Sequence, residues 1–123
     1  MQGAALFLVE DDVLIRMMIA GMVEELGHRV AAEAGTIHAA EPLARTAEFD
    51  LGILDINIGG LNIAPIAEII AARDLPFLFI SGYGPAGRPD LFRDRPVLQK
   101  PFLISSFAAM IDAALRDKPG PTV

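Results

Sequence analysis

The chain has 123 residues, 53% of them hydrophobic, a formal net charge of −6 and no cysteine. This length fits one folded domain, and the apolar fraction excludes a disordered chain. The missing thiols exclude disulfides and thiolate metal sites, while the negative charge and scattered basic residues argue against a nucleic-acid partner.

The opening residues, "MQGAALFLVEDD", hold a short apolar run with no basic lead, unlike a signal peptide. No later stretch reaches the roughly 18 uncharged apolar residues of a membrane span, so a cytoplasmic setting is expected. Ala5 to Val9 reads as a strand and runs into Glu10, Asp11 and Asp12. A helix follows, with Ile15, Ile19, Met22 and Leu26 on one face, Asp12 as its N-cap and Gly27 ending it. Met17, Met18 and Met22 read as core filler. His28 at that helix end and His38 at the next helix start are expected to face solvent.

Arg29 to Ala34 reads as a second strand, placed at the sheet edge, and Leu51 to Leu54 as a third, ending in Asp55. A helix is predicted over Leu61 to Asp74, using Ile63, Ile66 and Ile70 and stopped by Pro76. The fourth strand, Phe77 to Ile80, ends in Ser81 and Gly82. The next connection, "GYGPAGRPDLFRDRP", has three prolines and three glycines; a short helix near Asp90 to Arg93, or a mobile segment, is expected. Val97 to Gln99 forms the fifth strand before Lys100-Pro101. A last helix spans Leu103 to Asp117 with Leu103, Phe107, Ile111, Ala114 and Leu115 on its apolar face. Five strands alternating with helices predict an α/β fold, a parallel sheet covered on both faces.

In such a sheet, ligands bind outside the carboxyl ends of the strands. The central strands end in Glu10-Asp11, Asp55 with Asn57 beyond, Ser81-Gly82 and Lys100. A carboxylate ending an apolar run is costly unless something offsets it. A divalent cation and a lysine would do so, and Mg²⁺ prefers such oxygen ligands. Asp55 is then a carboxylate nucleophile able to form an aspartyl phosphate. Lys100, the Ser81 hydroxyl and the Gly82 N–H would neutralise the phosphoryl oxygens.

"VEDD", "LDIN", "SG" and "QKPF", in this order and spacing, resemble the receiver domain of two-component response regulators over nearly the whole chain. The resemblance implies a flavodoxin-like, doubly wound five-stranded parallel sheet of order 2-1-3-4-5, here with a short or irregular fourth helix. It implies a receiver domain over 1–118 and a flexible tail over 119–123. Asp55 matches the phospho-accepting aspartate, Ser81 the switch Thr/Ser and Lys100 the motif lysine. With Arg16 aligned to the basic residue common in the first helix, Asp11 becomes the direct Mg²⁺ ligand and Glu10 acts largely through water. Asn57 would offer its main-chain carbonyl and flank the phosphate. The Lys100-Pro101 bond is expected to be cis, as in the family.

Val97 stands where many receivers carry a switch aromatic. Instead "FISGYG" places Tyr83 two residues after Ser81, similar to the receivers called FAT GUY. Phe79 and Gly82 fit that motif, whereas Ile80 and Ser81 depart from it. Tyr83 is a candidate switch, a gate over the phosphate or a surface aromatic. Receivers of this subgroup are often stand-alone and are associated with kinases of the HWE or a related class.

The resemblance thus implies a single-domain response regulator that is no enzyme of external substrates. It would take a phosphoryl group from a histidine kinase or phosphotransfer protein, catalyse its own transfer and dephosphorylation, and change its binding to a downstream protein. By resemblance, the first helix is the kinase-docking element. The rival readings are a phosphate sink for a kinase, a phosphate-independent interaction module, and an aspartyl-phosphatase of the haloacid dehalogenase type. The last needs an aspartate where Asn57 stands.

Overall fold

The computed structural model describes residues 3–116. In chain order its elements are β1 (Ala5–Val9), α1 (Val13–Glu25), β2 (Arg29–Ala34), α2 (Ile37–Thr46), β3 (Leu51–Asp55), β4 (Asn57–Ile58), β5 (Leu61–Asn62), α3 (Ala64–Ala72), β6 (Phe77–Ser81), a 3-10 turn at Asp90–Phe92, β7 (Val97–Gln99) and α4 (Ile104–Arg116). Five strands form a parallel sheet in the order β2-β1-β3-β6-β7, which is the expected 2-1-3-4-5 arrangement.

The strand sequences explain the layering. Every residue of β1, β3 and β6 is buried, as continuous apolar runs covered on both faces should be. Successive side chains point to opposite faces. Phe7, Val9, Leu54, Phe77 and Phe79 join Ala40, Ala44, Ile66 and Ile70 of α2 and α3 in one core layer. Leu6, Leu8, Ile53, Leu78 and Ile80 join Ile19, Val23, Phe107 and Ile111 of α1 and α4 in the other. β2 alternates exposed and partly covered positions and lies at the edge, as expected.

Local signals close several elements. Asp12 caps α1, its side chain accepting from the Ile15 N–H at 3.1 Å. Gly27 follows the helix at φ +86°. The Lys100-Pro101 bond is cis.

Four expectations need correction. The predicted helix over Leu61 to Asp74 is shorter, because 57–62 is an antiparallel hairpin, β4–β5. Gly59 and Gly60 both have positive φ, which fits a two-residue hairpin turn. Met17 and Met18 are 65% and 54% exposed, because α1 turns Ile19 and Val23 to the sheet and those two methionines away from it. Leu103 is 72% exposed, because it precedes the first turn of α4 instead of lying on its inner face. His28 is half-buried, its Nδ1 accepting from the Ala4 N–H at 2.9 Å. The expected tail over 119–123, and Asp117, lie outside the described residues.

The core predicts a large cost for truncation at its centre. Phe79 is fully buried, with the Phe77 ring edge-on at 5.5 Å. Phe79→Ala is expected to lower unfolding free energy by about 3–5 kcal/mol in urea titrations; a loss within about 0.5 kcal/mol, the range of ordinary surface substitutions, would show that this layer is not packed as described.

Candidate functional site

Because β1, β3 and β6 bury all of their residues, polar groups enter where the strands stop. Glu10 follows β1, Asp55 ends β3, Ser81 ends β6 and Lys100 follows β7. The sheet brings these ends to one rim. All the predicted site residues, Glu10, Asp11, Asp55, Asn57, Ser81, Gly82, Tyr83 and Lys100, line a single cavity of about 750 Å³.

Lys100 is the centre of the cluster. Its Nζ lies 2.9 Å from Asp55 Oδ2 and 2.9 Å from Glu10 Oε1. The Lys100 N–H also donates to the Ser81 carbonyl at 2.8 Å, seating the lysine on the neighbouring strand end. Glu10 is fully buried and its other oxygen accepts from the Asp12 N–H. Arg16 steadies the same turn: its Nη1 donates to the Glu10 carbonyl at 2.8 Å while its Nε pairs with Glu33 at 3.3 Å. Gly35 makes room for that guanidinium, since a Cβ there would lie 2.5 Å from Nη1.

Asp11 is exposed, and its Oδ2 accepts from the Gly59 N–H at 2.8 Å. Asn57 is exposed, and its side-chain oxygen accepts from the Gly60 N–H at 2.9 Å. The Ser81 Oγ is buried and accepts from the Tyr83 N–H at 3.0 Å, whereas the Tyr83 residue is 80% exposed. Val97 is half-buried and pairs with Phe79. Sequence reasoning missed Gly35 and Gly59. The Gly59-Gly60 pair carried a turn signal; nothing local marked Gly35, whose contact with Arg16 is tertiary.

No protein-family model matches the chain. Among solved structures, it is similar to the PhyR response regulator receiver domain of Erythrobacter litoralis, with 27% identity and a TM-score of 0.83 over 99% of this chain and 97% of that one. It is 38% identical to the BeF3-activated conformation of SdrG from Pseudomonas melonis Fr1, with a TM-score of 0.76 over 90% of this chain and 95% of that one. Among curated proteins, it is 32% identical to the transcriptional regulatory protein PdtaR of Mycobacterium tuberculosis, over 88% of this chain but only 55% of that protein's length. The chain belongs to the receiver-domain family of response regulators. Its sheet order is that of the flavodoxin-like receiver fold.

The receiver's carboxylates suit a hard cation. Glu10, Asp11 and Asp55 offer oxygens that all lie within 4.8 Å of one another, and oxygen-only donor sets of this kind favour Mg²⁺ over softer metals. Electrostatics points the same way. Burial pushes the Glu10 carboxyl up to about 7, against hydrogen bonds from Lys100 and the Asp12 N–H that pull it down, and the Asp55 charge adds to the rise. Burial also works against the Asp11 carboxylate, but the Gly59 N–H and the side-chain hydrogen bond to Glu10 outweigh it and hold its pKa below the ordinary value. For Lys100, burial favours loss of the proton; hydrogen bonds to Glu10 and Asp55 outweigh this and raise its pKa.

The Glu10 shift has a stability consequence of definite sign. A carboxyl whose pKa is raised on folding binds its proton more tightly in the folded state. In metal-free receiver, stability is therefore expected to fall as pH rises from about 4.5 through about 7, the ordinary and shifted values of Glu10. Glu10→Gln should flatten that fall in urea midpoints measured with a chelator present. An unchanged slope in the variant would show that Glu10 does not titrate in this range.

Proposed function

We propose that this receiver accepts a phosphoryl group on Asp55 from a phosphohistidine of a histidine kinase or phosphotransfer protein, with Mg²⁺ as cofactor, and signals by altered protein binding. The observation that carries the reading is the meeting of Lys100 with both Asp55 and Glu10 at 2.9 Å, beside Asp11. The BeF3-activated conformation known for SdrG supports it, because this chain spans 95% of that one.

In the proposed step, an oxygen of Asp55 attacks the phosphorus as the phosphorus–nitrogen bond of the donor breaks, and the imidazole leaves with the bonding electrons. Such transfer needs mainly positioning and charge neutralisation. Lys100 meets the charge growing on the phosphoryl oxygens, using the ammonium that already bridges Asp55 and Glu10. The Ser81 hydroxyl, buried at the end of β6, donates to a second oxygen and the Gly82 N–H to a third. Glu10, Asp11, Asp55 and the Asn57 carbonyl would hold Mg²⁺, which supplies positive charge to the carboxylates and the transferred group. The same residues serve self-catalysed hydrolysis, with Asn57 and Tyr83 flanking the path of the attacking water.

Tyr83 is the proposed switch in place of an aromatic at Val97. Its main chain is tied to Ser81 Oγ while its ring borders the cavity from solvent, so a reorientation of the Ser81 hydroxyl towards a phosphoryl oxygen is passed to the Tyr83 main chain. With Phe79 and Gly82 this fits a FAT GUY receiver, acting in the cytoplasm with a kinase of the HWE or a related class. Among the described residues, no helix is long and apolar enough to cross a membrane.

Phosphotransfer from a histidine kinase tests the proposal. Label is expected on the wild-type chain in Mg²⁺, at background with a chelator, and absent from Asp55→Ala. Lys100→Met is expected to slow labelling by about 100-fold or more, the usual cost of removing one group that stabilises developing charge. Label retained by Asp55→Ala would overturn the acceptor assignment.

A further inference from the structure

The β4–β5 hairpin is more than a turn between the third strand and α3. At its tip, the Gly59 N–H donates to Asp11 Oδ2 at 2.8 Å. Ile58 is buried in the core, and the Asn57 side-chain oxygen accepts from the Gly60 N–H, so the hairpin is braced from within. Where it leaves, Asn62 uses both ends of its amide. Oδ1 accepts from the Ala64 N–H at 2.8 Å, ordering the entry to α3, and Nδ2 donates to the Gly87 carbonyl at 2.8 Å. Gly87 has φ +83° and lies in the irregular 82–96 segment, where a Cβ would stand 3.4 Å from Ile56 Cγ2. One short, doubly anchored element therefore joins a carboxylate of the cluster to the segment that carries Tyr83.

We propose that Asn62 is a positioning residue that transmits a change at the carboxylate cluster to the 82–96 segment. The inference rests on the phosphoacceptor reading above. One Asp11 carboxylate carries both contacts: it offers an oxygen within 4.8 Å of those of Glu10 and Asp55, and its Oδ2 accepts from the Gly59 N–H at 2.8 Å, so a cation drawing on it also draws on the hairpin. Binding at the cluster thus releases or drags the hairpin tip. The hairpin has a tight two-residue turn and a buried anchor, so the displacement is carried to its other end. There the Asn62 amide hands it to the main chain at Gly87. This route is separate from the Ser81–Tyr83 hydrogen bond, and the two enter the segment at different points.

Asn62→Asp isolates the link, since it keeps an oxygen for the Ala64 N–H and removes the donor to Gly87. Asn62→Ser is the uncharged second variant, retaining a capping oxygen without the reach to Gly87. Circular dichroism establishes that each is folded. Calorimetry measures binding of beryllofluoride with Mg²⁺, and hydrogen exchange follows the amides of 57–62 and 82–95. Before ligand is added, exchange over 82–95 is expected to be about fivefold faster in both variants, the effect of one neutral hydrogen bond on local opening. On binding, both segments should respond in the wild type, while in the variants 57–62 responds and 82–95 does so weakly or not at all. An 82–95 response as large as the wild type's would overturn the proposal while leaving the acceptor reading intact. Loss of beryllofluoride binding in the variants would also overturn it, since Asn62 would then belong to the binding site. A wild-type chain that binds no beryllofluoride would remove the acceptor reading and this inference together.

Discussion

One ammonium group holds the functional end of this molecule together. Two carboxylates, Glu10 and Asp55, are buried at the ends of adjacent strands, and their mutual repulsion would be severe without compensation. Lys100 touches both at 2.9 Å, and the cost of burying its own charge is outweighed by those contacts. The pairing is poorly suited to maximal stability, because ion pairs of this kind recover only part of their desolvation cost. It is well suited to a site in which charge must be exchanged. Burial pushes the Glu10 carboxyl up to about 7 in spite of the hydrogen bond from the lysine. Room remains for a second positive charge and for an anionic group to share the lysine.

The fold delivers this arrangement through a simple division of labour. Apolar residues fill the strands, and their polar successors fall at one rim because all five strands run the same way. The turn after β1 is then fixed in detail: Asp12 caps α1, its N–H holds Glu10, and Arg16 reaches back to the Glu10 carbonyl past the bare Cα of Gly35. On the other side, the hairpin after β3 holds Asp11 by one N–H. The buried acid is thus held by main chain and lysine, while the exposed one is held by a single N–H of a short hairpin.

The parts of this architecture that were legible in the sequence are those set by local pattern. Ala5 to Val9, Leu51 to Leu54 and Phe77 to Ile80 read as strands because sheet residues buried on both faces must be apolar throughout. Asp55 and Lys100 were legible because charges at the ends of such runs are expensive without partners. Where pattern and structure part, the causes are equally specific. Ile63, Ile66 and Ile70 keep a true helical period, but the conformational freedom of Gly59 and Gly60 makes a hairpin of 57–62, and the helix starts only after it. Residue type alone places Met17 and Met18 in the core, whereas the helical period set by Ile19 and Val23 turns them outward. Its place at a helix end points His28 to solvent, yet its ring nitrogen takes the Ala4 N–H, a contact between residues 24 positions apart that no local pattern encodes. The Arg16–Gly35 and Asn62–Gly87 contacts are tertiary in the same sense.

The claim on which all of this depends is that Lys100 is a charged bridge between Asp55 and Glu10. Nitrogen-15 NMR of the lysine side chains, with Lys100 assigned by comparison with Lys100→Arg, measures it directly in metal-free protein. The Lys100 ammonium is expected to keep its proton above pH 10.5, the ordinary value, and to show slowed proton exchange from its two hydrogen bonds. A Lys100 resonance that titrates at or below that value, with exchange as fast as a free surface lysine, would contradict it.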